Sequence, residues 1–439
     1  MSVDEQRVYR SGQFSISGGE RRPLRMGYDA TLDGHAVVYR LARALPPEAA
    51  DLMEIAAMAY AVDRIAPRPK DRLTLDGSGW GRRLWMQVPV RDPRLWNSVA
   101  ERLVGLLGWL TDDHWELTFC QLAGDSGPLD ELQGFLFDTV PGGSSPALFS
   151  GGLDSAIGLA HDLQEGCSIA ISVHTNYRMQ SVQRRVVRGL ATDPARVPVH
   201  LQYRVSLHER DRENSQRTRG LLFLAAGIAA AWGLGQDRLR VFENGIGAIN
   251  LPYLRSQYGP QATRSMHPRT LRLTEGLASA VSGRPFRMEA PFLRRTKAEA
   301  LSAVPELQSS TIADTVSCDT GFSARVAGSI QCGACTSCVL RRLALHAAGR
   351  ADADTTTSYR DRSPAAKESV KAMAWQVERL RDSLGKPDPW QGLVSEFPPI
   401  LDAGPLTPSE VIRLYRAYVR EWDAVEHIFG LRPHDRSAA

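Results

Sequence analysis

The chain has 439 residues, 43% of them hydrophobic and 23% charged, with a formal net charge of +4. That length provides for two or three domains with sizeable cores, and the composition excludes a disordered, collagen-like or disulfide-stapled chain. So weak a basic bias fits an anionic small substrate at least as well as nucleic acid, for which a dense basic patch is expected.

The opening residues Met1-Ser2-Val3-Asp4-Glu5 are polar and lack an apolar core, so no signal peptide is read there. Residues 1–140 are expected to form an α+β domain. His35–Tyr39, Leu84–Val90 and His114–Leu122 are strand-like, and Pro47–Arg64 and Pro93–Leu110 carry apolar residues at helical spacing. No motif in this part attaches to chemistry. The turn-rich stretch Asp138 to Pro146 is the first expected boundary.

From residue 146 to 350 strands and helices alternate. The expected strands are Ala147–Phe149, Ser168–His174, Val197–Val205, Arg238–Glu243 and Arg287–Pro291. Helices are expected from Asp154, over Ser181–Leu190, over Thr218–Gly233 and from about Thr296. This order predicts an α/β fold with a parallel sheet whose ligands bind at the carboxyl ends of the strands. The longest apolar run, Leu221 to Leu234, has 14 residues, too short to span a bilayer. No membrane association is expected, and the protein reads as cytoplasmic.

Residues 351–439 read as a helical extension. Ser363-Pro364 is an N-cap before an N1 proline, followed by Val370, Met373, Val377, Leu380 and Leu384 at helical spacing. Thr407-Pro408-Ser409-Glu410 is a capping box. The stripe Leu414, Tyr415, Tyr418, Val419, Trp422 and Val425 then faces either the rest of the chain or a partner protein, packing within the chain being the default.

Two constellations carry chemistry. The first is Ser150-Gly151-Gly152-Leu153-Asp154-Ser155, between a short strand and a helix. Two glycines allow a tight turn that presents consecutive N–H groups to phosphate oxygens, with the positive end of the helix behind them. Ser150 and Ser155 add hydroxyls, and Asp154 either caps the helix or holds a magnesium ion. No Gly-Lys-Ser/Thr follows, so this is not a Walker A loop. Taken alone, such a turn is as often a plain connector as a phosphate site.

The second constellation lies among the six cysteines. Cys120 and Cys167 stand apart and read as buried, inert thiols, whereas Cys318, Cys332, Cys335 and Cys338 fall within 21 residues. Four clustered thiolates in a reducing compartment suit a closed tetrahedral zinc site. Gly333 permits a tight knuckle, and Arg341 and Arg342 are placed to offset the thiolate charge. An iron–sulfur cluster and redox or sulfur-relay cysteines are the competing readings.

The hexapeptide resembles the Ser-Gly-Gly-x-Asp-Ser signature of the PP-loop ATP pyrophosphatases, enzymes that cleave ATP between its α and β phosphates. A loop of this kind followed by Ser317-Cys318 and Cys332-Gly333-Ala334-Cys335-Thr336-Ser337-Cys338-Val339-Leu340-Arg341 resembles the 7-cyano-7-deazaguanine synthase family, QueC. Arg219-Gly220-Leu221-Leu222-Phe223-Leu224, Ala290-Pro291-Phe292 and Thr296-Lys297-Ala298-Glu299 resemble further segments of that family, in its order. The resemblance covers about 200 of the 439 residues.

It implies ATP, Mg2+ and Zn2+ as cofactors and 7-carboxy-7-deazaguanine, or a related small acid, as substrate. The acid's carboxylate would be adenylated and its acyl group then passed to an amine. Lys297, with Asp154 and Arg219, would act on the phosphates. Ser150, Gly151, Gly152, Leu153, Asp154, Ser155 and His174 would hold the nucleotide, and the four cysteines would hold zinc. The acceptor segments depart from the family: Phe242-Glu243-Asn244-Gly245 and His174-Thr175-Asn176-Tyr177-Arg178 replace its usual stretches. The added terminal segments resemble the longer QueC-like proteins of bacterial anti-phage systems, those of the Qat system and of type IV CBASS. For that branch the expected acceptor is an amine of a co-encoded partner protein. A plain nitrile synthase using ammonia is the alternative, and a non-catalytic nucleotide- or nucleic-acid-binding module the second. Direct nucleic-acid binding is not expected, for want of a basic–aromatic RNA surface. A homodimer is compatible with the sequence.

Overall fold

The structure is a computed structural model that describes residues 8–41, 45–68, 81–123, 129, 145–166, 168–191, 193, 196–208, 213–253, 263–319, 331–361 and 368–430. Its ten strands are β1 (Arg10–Ile16), β2 (Arg22–Met26), β3 (Ala30–Asp33), β4 (Arg83–Val90), β5 (His114–Gln121), β6 (Ser145–Leu148), β7 (Ser168–His174), β8 (Val199–Leu207), β9 (Arg238–Arg240) and β10 (Arg287–Glu289). They form one mixed, mostly parallel sheet in the order β10-β9-β6-β7-β8-β3-β2-β1-β4-β5.

The half from β10 to β8 is parallel throughout, as strand–helix alternation requires. Strand β7 is buried at every position, the pattern of a strand covered on both faces. The N-terminal strands continue the sheet, because β3 runs antiparallel to β8 with Leu32 opposite Val205 and Asp33 opposite Arg204. One hydrophobic core therefore includes Phe14 and Leu32 from the first segment and Tyr203 and Leu222 from the second.

Several local expectations are met within a residue or two. Helix Pro47–Ile65 and strands β4 and β5 lie where the pattern placed them. Two differ. His35–Tyr39 is not a strand but part of the helix His35–Leu41, whose start is fixed by Asp33 accepting from the His35 N–H at 3.1 Å and by Gly34 accepting from Val37. Pro93–Leu110 is two helices, Pro93–Ser98 and Ala100–Thr111, because Val99 at φ −111°, ψ 4° leaves helical geometry. Strands β1 to β3 were not anticipated. The expected boundary at Asp138 to Pro146, the Ser363-Pro364 cap and Cys167 fall wholly or mostly outside the described residues.

Helix Arg219–Gly233 is buried along nearly its whole length between the sheet and helix Pro47–Ile65. Its N-terminus is held from the first segment. The buried Asp63 carboxylate accepts from the Thr218 N–H and Oγ1, both at 3.0 Å, and pairs with Arg82 at 2.5 Å. Arg82 and Arg68 both also bind Asp113, at 2.6 and 2.7 Å. Burial alone would raise the Asp63 carboxyl; the Arg82 guanidinium outweighs it and holds the group below the usual carboxylate range.

The C-terminal helices Glu368–Leu384, Pro389–Glu396 and Pro408–Val425 enclose a second core with Ile246, Leu293, Val339 and Leu343. The stripe Leu414, Tyr415, Tyr418, Val419, Trp422 and Val425 is buried in it, so that face packs within the chain. The Thr407 capping box is formed, with Thr407 Oγ1 accepting from the Glu410 N–H. No helix of the described residues is long and apolar enough to cross a membrane.

Candidate active site and cysteine centre

Strand β6 ends at Leu148, and the chain turns over Ser150, Gly151 and Gly152 into helix Leu153–Glu165. Gly151 has φ 88°, a left-handed geometry that L side chains rarely adopt. The turn is braced from within: Gly152 N–H donates to Ser150 Oγ at 3.2 Å, and Ser155 Oγ donates to the Gly152 carbonyl at 3.0 Å. It is braced from outside by Gln183 Nε2 on the Ser150 carbonyl and by the Val316 N–H on the Gly151 carbonyl, at 3.3 and 3.0 Å. No side chain caps the helix start at Gly152. Its first-turn N–H groups sit at a cleft, the arrangement that receives an anion.

Asp154, in that first turn, meets Lys297 of helix Lys297–Ser302. The ammonium Nζ lies 2.6 Å from Asp154 Oδ2, and both side chains are largely buried. Thr296 is the N-cap of the lysine's helix, with Glu299 completing a capping box. The C-terminal helix clamps the same turn: Arg413 pairs with Glu299 at 2.6 Å and donates to the Arg294 carbonyl, and Thr296 Oγ1 donates to Glu421. Beyond β9, Asn244 Nδ2 donates to Asp154 Oδ1 at 3.0 Å and to Glu243 Oε1 at 3.3 Å. Burial, and then the Asp154 charge, push the Glu243 carboxyl well above the usual carboxylate range.

Asp154, Glu243 and Lys297 line one cavity of about 480 Å³ with Ser150, Ser155, Tyr253, Ser317 and Asp319. A second cavity of about 460 Å³ shares Ser150, Val316, Ser317 and Asp319 with the first, so the two are lobes of one cleft. The second lobe is lined by Thr175, Asn176, Met179, Arg219 and Phe223. The Arg219 guanidinium has no carboxylate partner among the described residues; it touches Met179 Sδ at 3.9 Å and lies 5.4 Å from the centre of the Phe223 ring. Burial lowers its pKa below the usual arginine value.

The sequence-expected residues thus come together with one exception. Ser150, Gly152, Leu153, Asp154, Ser155 and Lys297 share the first lobe, and Arg219 stands in the second with Ser150. Gly151 forms the turn beneath them. His174 lines neither lobe: it ends β7 on the far side of helix Tyr177–Gly189 and borders a separate cavity. Neighbouring Thr175 and Asn176 are the residues of that segment that reach the cleft. In the sequence Glu243 and Asn244 are marked only by their position at a strand end; the Asn244 bonds to Asp154 and Glu243 arise from the fold.

The cysteine centre adjoins the loop. All four Sγ atoms of Cys318, Cys332, Cys335 and Cys338 lie within 4.8 Å of one another, with Cys332–Cys338 at 4.0 Å and Cys335–Cys318 at 3.9 Å. A tetrahedral zinc with Zn–S bonds of about 2.3 Å has sulfur–sulfur edges of about 3.8 Å, so the thiols fit a single zinc ion. The Ala334 and Cys335 N–H groups point at Cys332 Sγ, at 3.3 and 3.2 Å, as around a thiolate. Gly333 has φ 79°, and a Cβ there would stand 2.1 Å from the Asp361 carbonyl oxygen. Arg341 is fully buried and donates to Thr315 Oγ1 at 2.6 Å and to the Ile312 carbonyl at 2.5 Å. Arg342 pairs with Asp354 instead. Cys120 is partly exposed rather than buried.

Residues 266–349 match the family model of QueC, described as the queuosine biosynthesis protein QueC. The matched stretch holds Lys297 and all four cysteines and ends before the C-terminal helices; the loop 150–155 lies outside it. The match supports a QueC-like chain with an ATP-using, synthase-type activity related to 7-deazaguanine. No curated protein matches the chain.

Proposed function

We propose that the chain is a PP-loop ATP pyrophosphatase of the QueC-like kind. It adenylates the carboxylate of 7-carboxy-7-deazaguanine and passes the acyl group to an amine. The observation that carries this reading is the convergence on one cleft of the uncapped Ser150–Ser155 loop, the Lys297–Asp154 pair and Arg219, with the QueC-matched segment supplying Lys297.

In the first step the acid's carboxylate oxygen attacks the α-phosphorus of ATP, and the bond to the β-phosphate oxygen breaks. The loop N–H groups and the Ser150 and Ser155 hydroxyls receive the leaving pyrophosphate. Lys297 stabilises charge on the transferring phosphoryl group, held in place by Asp154 and by the capping box that Arg413 and Glu421 support. Arg219 takes the remaining phosphate charge from the second lobe. Asp154 and Glu243, joined by Asn244, are the carboxylates suited to Mg2+, which when bound would neutralise phosphate charge. In the second step an amine nitrogen attacks the acyl carbon, AMP departs, and the amine gives up a proton. Zinc on the four cysteines would fasten the segment from Thr315 to Cys318, whose Val316 N–H supports the loop.

The acceptor we assign is an amine of a co-encoded partner protein, the reading that fits an anti-phage QueC-like protein with added terminal segments. Intact mass spectrometry tests it, with ATP, magnesium, the acid and, in turn, ammonium or a neighbour-encoded protein. A mass gain on that protein equal to the acid less water supports the assignment. A free amide or nitrile with the neighbour unmodified would make the chain a nitrile synthase instead.

A further inference from the structure

The cavity that His174 borders, at about 670 Å³, is larger than either lobe of the cleft and shares no lining residue with them. Its floor is one face of β8. There the alternation of a half-buried strand puts Leu201, Tyr203 and Val205 into the core and His200, Gln202 and Arg204 on the other side. Its wall is helix Tyr177–Gly189, which presents Tyr177, Gln180, Arg184 and Arg188 at successive helical turns.

Three guanidinium groups therefore surround this cavity, and among the described residues the only carboxylate in its lining is Asp33. None of Arg184, Arg188 and Arg204 has a carboxylate partner among the described residues. Arg184 Nε donates to Gln202 Oε1 at 3.0 Å and Arg204 Nε to Ser206 Oγ at 3.2 Å, which leaves most of their donors unused. This contrasts with Arg10, Arg68, Arg82 and Arg240, each of which is ion-paired in the fold. At the inner wall His174 is 3% exposed. Burial, then Arg204 and Arg184, lower its pKa to about 4, so it adds no positive charge of its own near neutrality. At the rim stands Tyr177, 69% exposed and with the Arg204 guanidinium 4.9 Å from its ring centre.

Concentrated, unpaired guanidinium charge in a concave site calls for a compact polyanion, and planar forks suit phosphate oxygens. An exposed aromatic ring at the mouth suits a base. We propose that this cavity is a second nucleotide site, which binds the phosphate of a free nucleotide on Arg184, Arg188 and Arg204 and stacks its base on Tyr177. It is separate from the cleft, and the proposal does not depend on the reaction assigned there.

Photolabelling of the full chain with 8-azido-AMP, followed by peptide mapping, tests this. The expected label falls on the peptide bearing Tyr177, and AMP and inorganic phosphate compete for it. Arg184→Glu and Arg188→Glu, both on exposed side chains, lower that label about tenfold or more, the loss expected of a charge-assisted contact turned repulsive. Asp154→Asn in the cleft leaves it unchanged. Labelling confined to cleft peptides, or a Tyr177 label indifferent to both arginine substitutions, would overturn the proposal. So would a single-stranded oligonucleotide or an acidic peptide that displaced the label where AMP did not.

Discussion

The Lys297 ammonium lies 2.6 Å from Oδ2 of Asp154, although 143 residues separate them along the chain. One residue belongs to the helix that follows the Ser150–Ser155 turn and the other to the QueC-matched segment, so their pairing brings the two motifs together. Lys297→Met and Asp154→Asn are each expected to reduce pyrophosphate release by about 10²- to 10³-fold, the usual effect of losing one preorganised charge at a phosphoryl centre. Lys297→Met leaves Asp154 without its cation, and Asp154→Asn frees the lysine. Near-unchanged rates in either variant, measured with coupled pyrophosphate detection, would remove the pair from the chemistry.

Cys332→Ser should abolish stoichiometric zinc and, with it, the activity of the cleft, because the Val316 N–H that braces Gly151 belongs to the segment ending at Cys318. Gly333→Ala tests the same knuckle without touching a ligand. Its positive φ and the 2.1 Å approach to the Asp361 carbonyl predict a loss of about 1–3 kcal/mol. Metal analysis and thermal unfolding of both proteins read this out. Full zinc and an unshifted midpoint in Gly333→Ala would contradict the described turn.

Asp63 binds Thr218 and Arg82 in the interior, so Asp63→Asn should cost about 3–5 kcal/mol, the range for breaking a buried ion pair on one side. Its carboxyl is held below the ordinary value, so its contribution is present above the unfolded carboxylate pKa and is lost as pH falls through the lower folded one. Denaturant titrations in mild acid should show wild type losing stability with falling pH more steeply than Asp63→Asn. Parallel curves would contradict this.

Glu243 behaves in the opposite sense. Its folded pKa, pushed up to about 8, lies above the ordinary glutamate value of 4.5, so the stability of the protonated form is fully present below about 4.5 and lost as pH rises through about 8. Glu243→Gln should therefore flatten the decline in stability over that window and weaken the response of the cleft to magnesium. A Glu243→Gln chain that declines as wild type does would place the group in contact with water.

Much of this was legible because it is local. Ser150 to Ser155 lie on consecutive residues between a strand and a helix, and Cys332, Cys335 and Cys338 lie on one knuckle, so spacing alone describes them. The helix stripe from Leu414 to Val425 has a period that only one packing face satisfies. What sequence could not give was set by distant partners. The run His35–Tyr39 has the apolar, β-branched look of a strand, but Asp33 and Gly34 cap it into a helix. His174 ends the expected strand, yet helix Tyr177–Gly189 turns that end away from the cleft and leaves Thr175 and Asn176 to face it. Strands β1 to β3 alternate weakly, and their place in the sheet depends on β8, more than 160 residues on.

The proposed chemistry at this cleft is cleavage of ATP between its α and β phosphates to activate an acid. The most direct measurement incubates the purified chain with ATP and magnesium, with and without 7-carboxy-7-deazaguanine, and quantifies all nucleotide and phosphate products. AMP and pyrophosphate are expected in equal amounts, dependent on the acid and lost in Lys297→Met. ADP with inorganic phosphate, or no pyrophosphate in the presence of the acid, would contradict it.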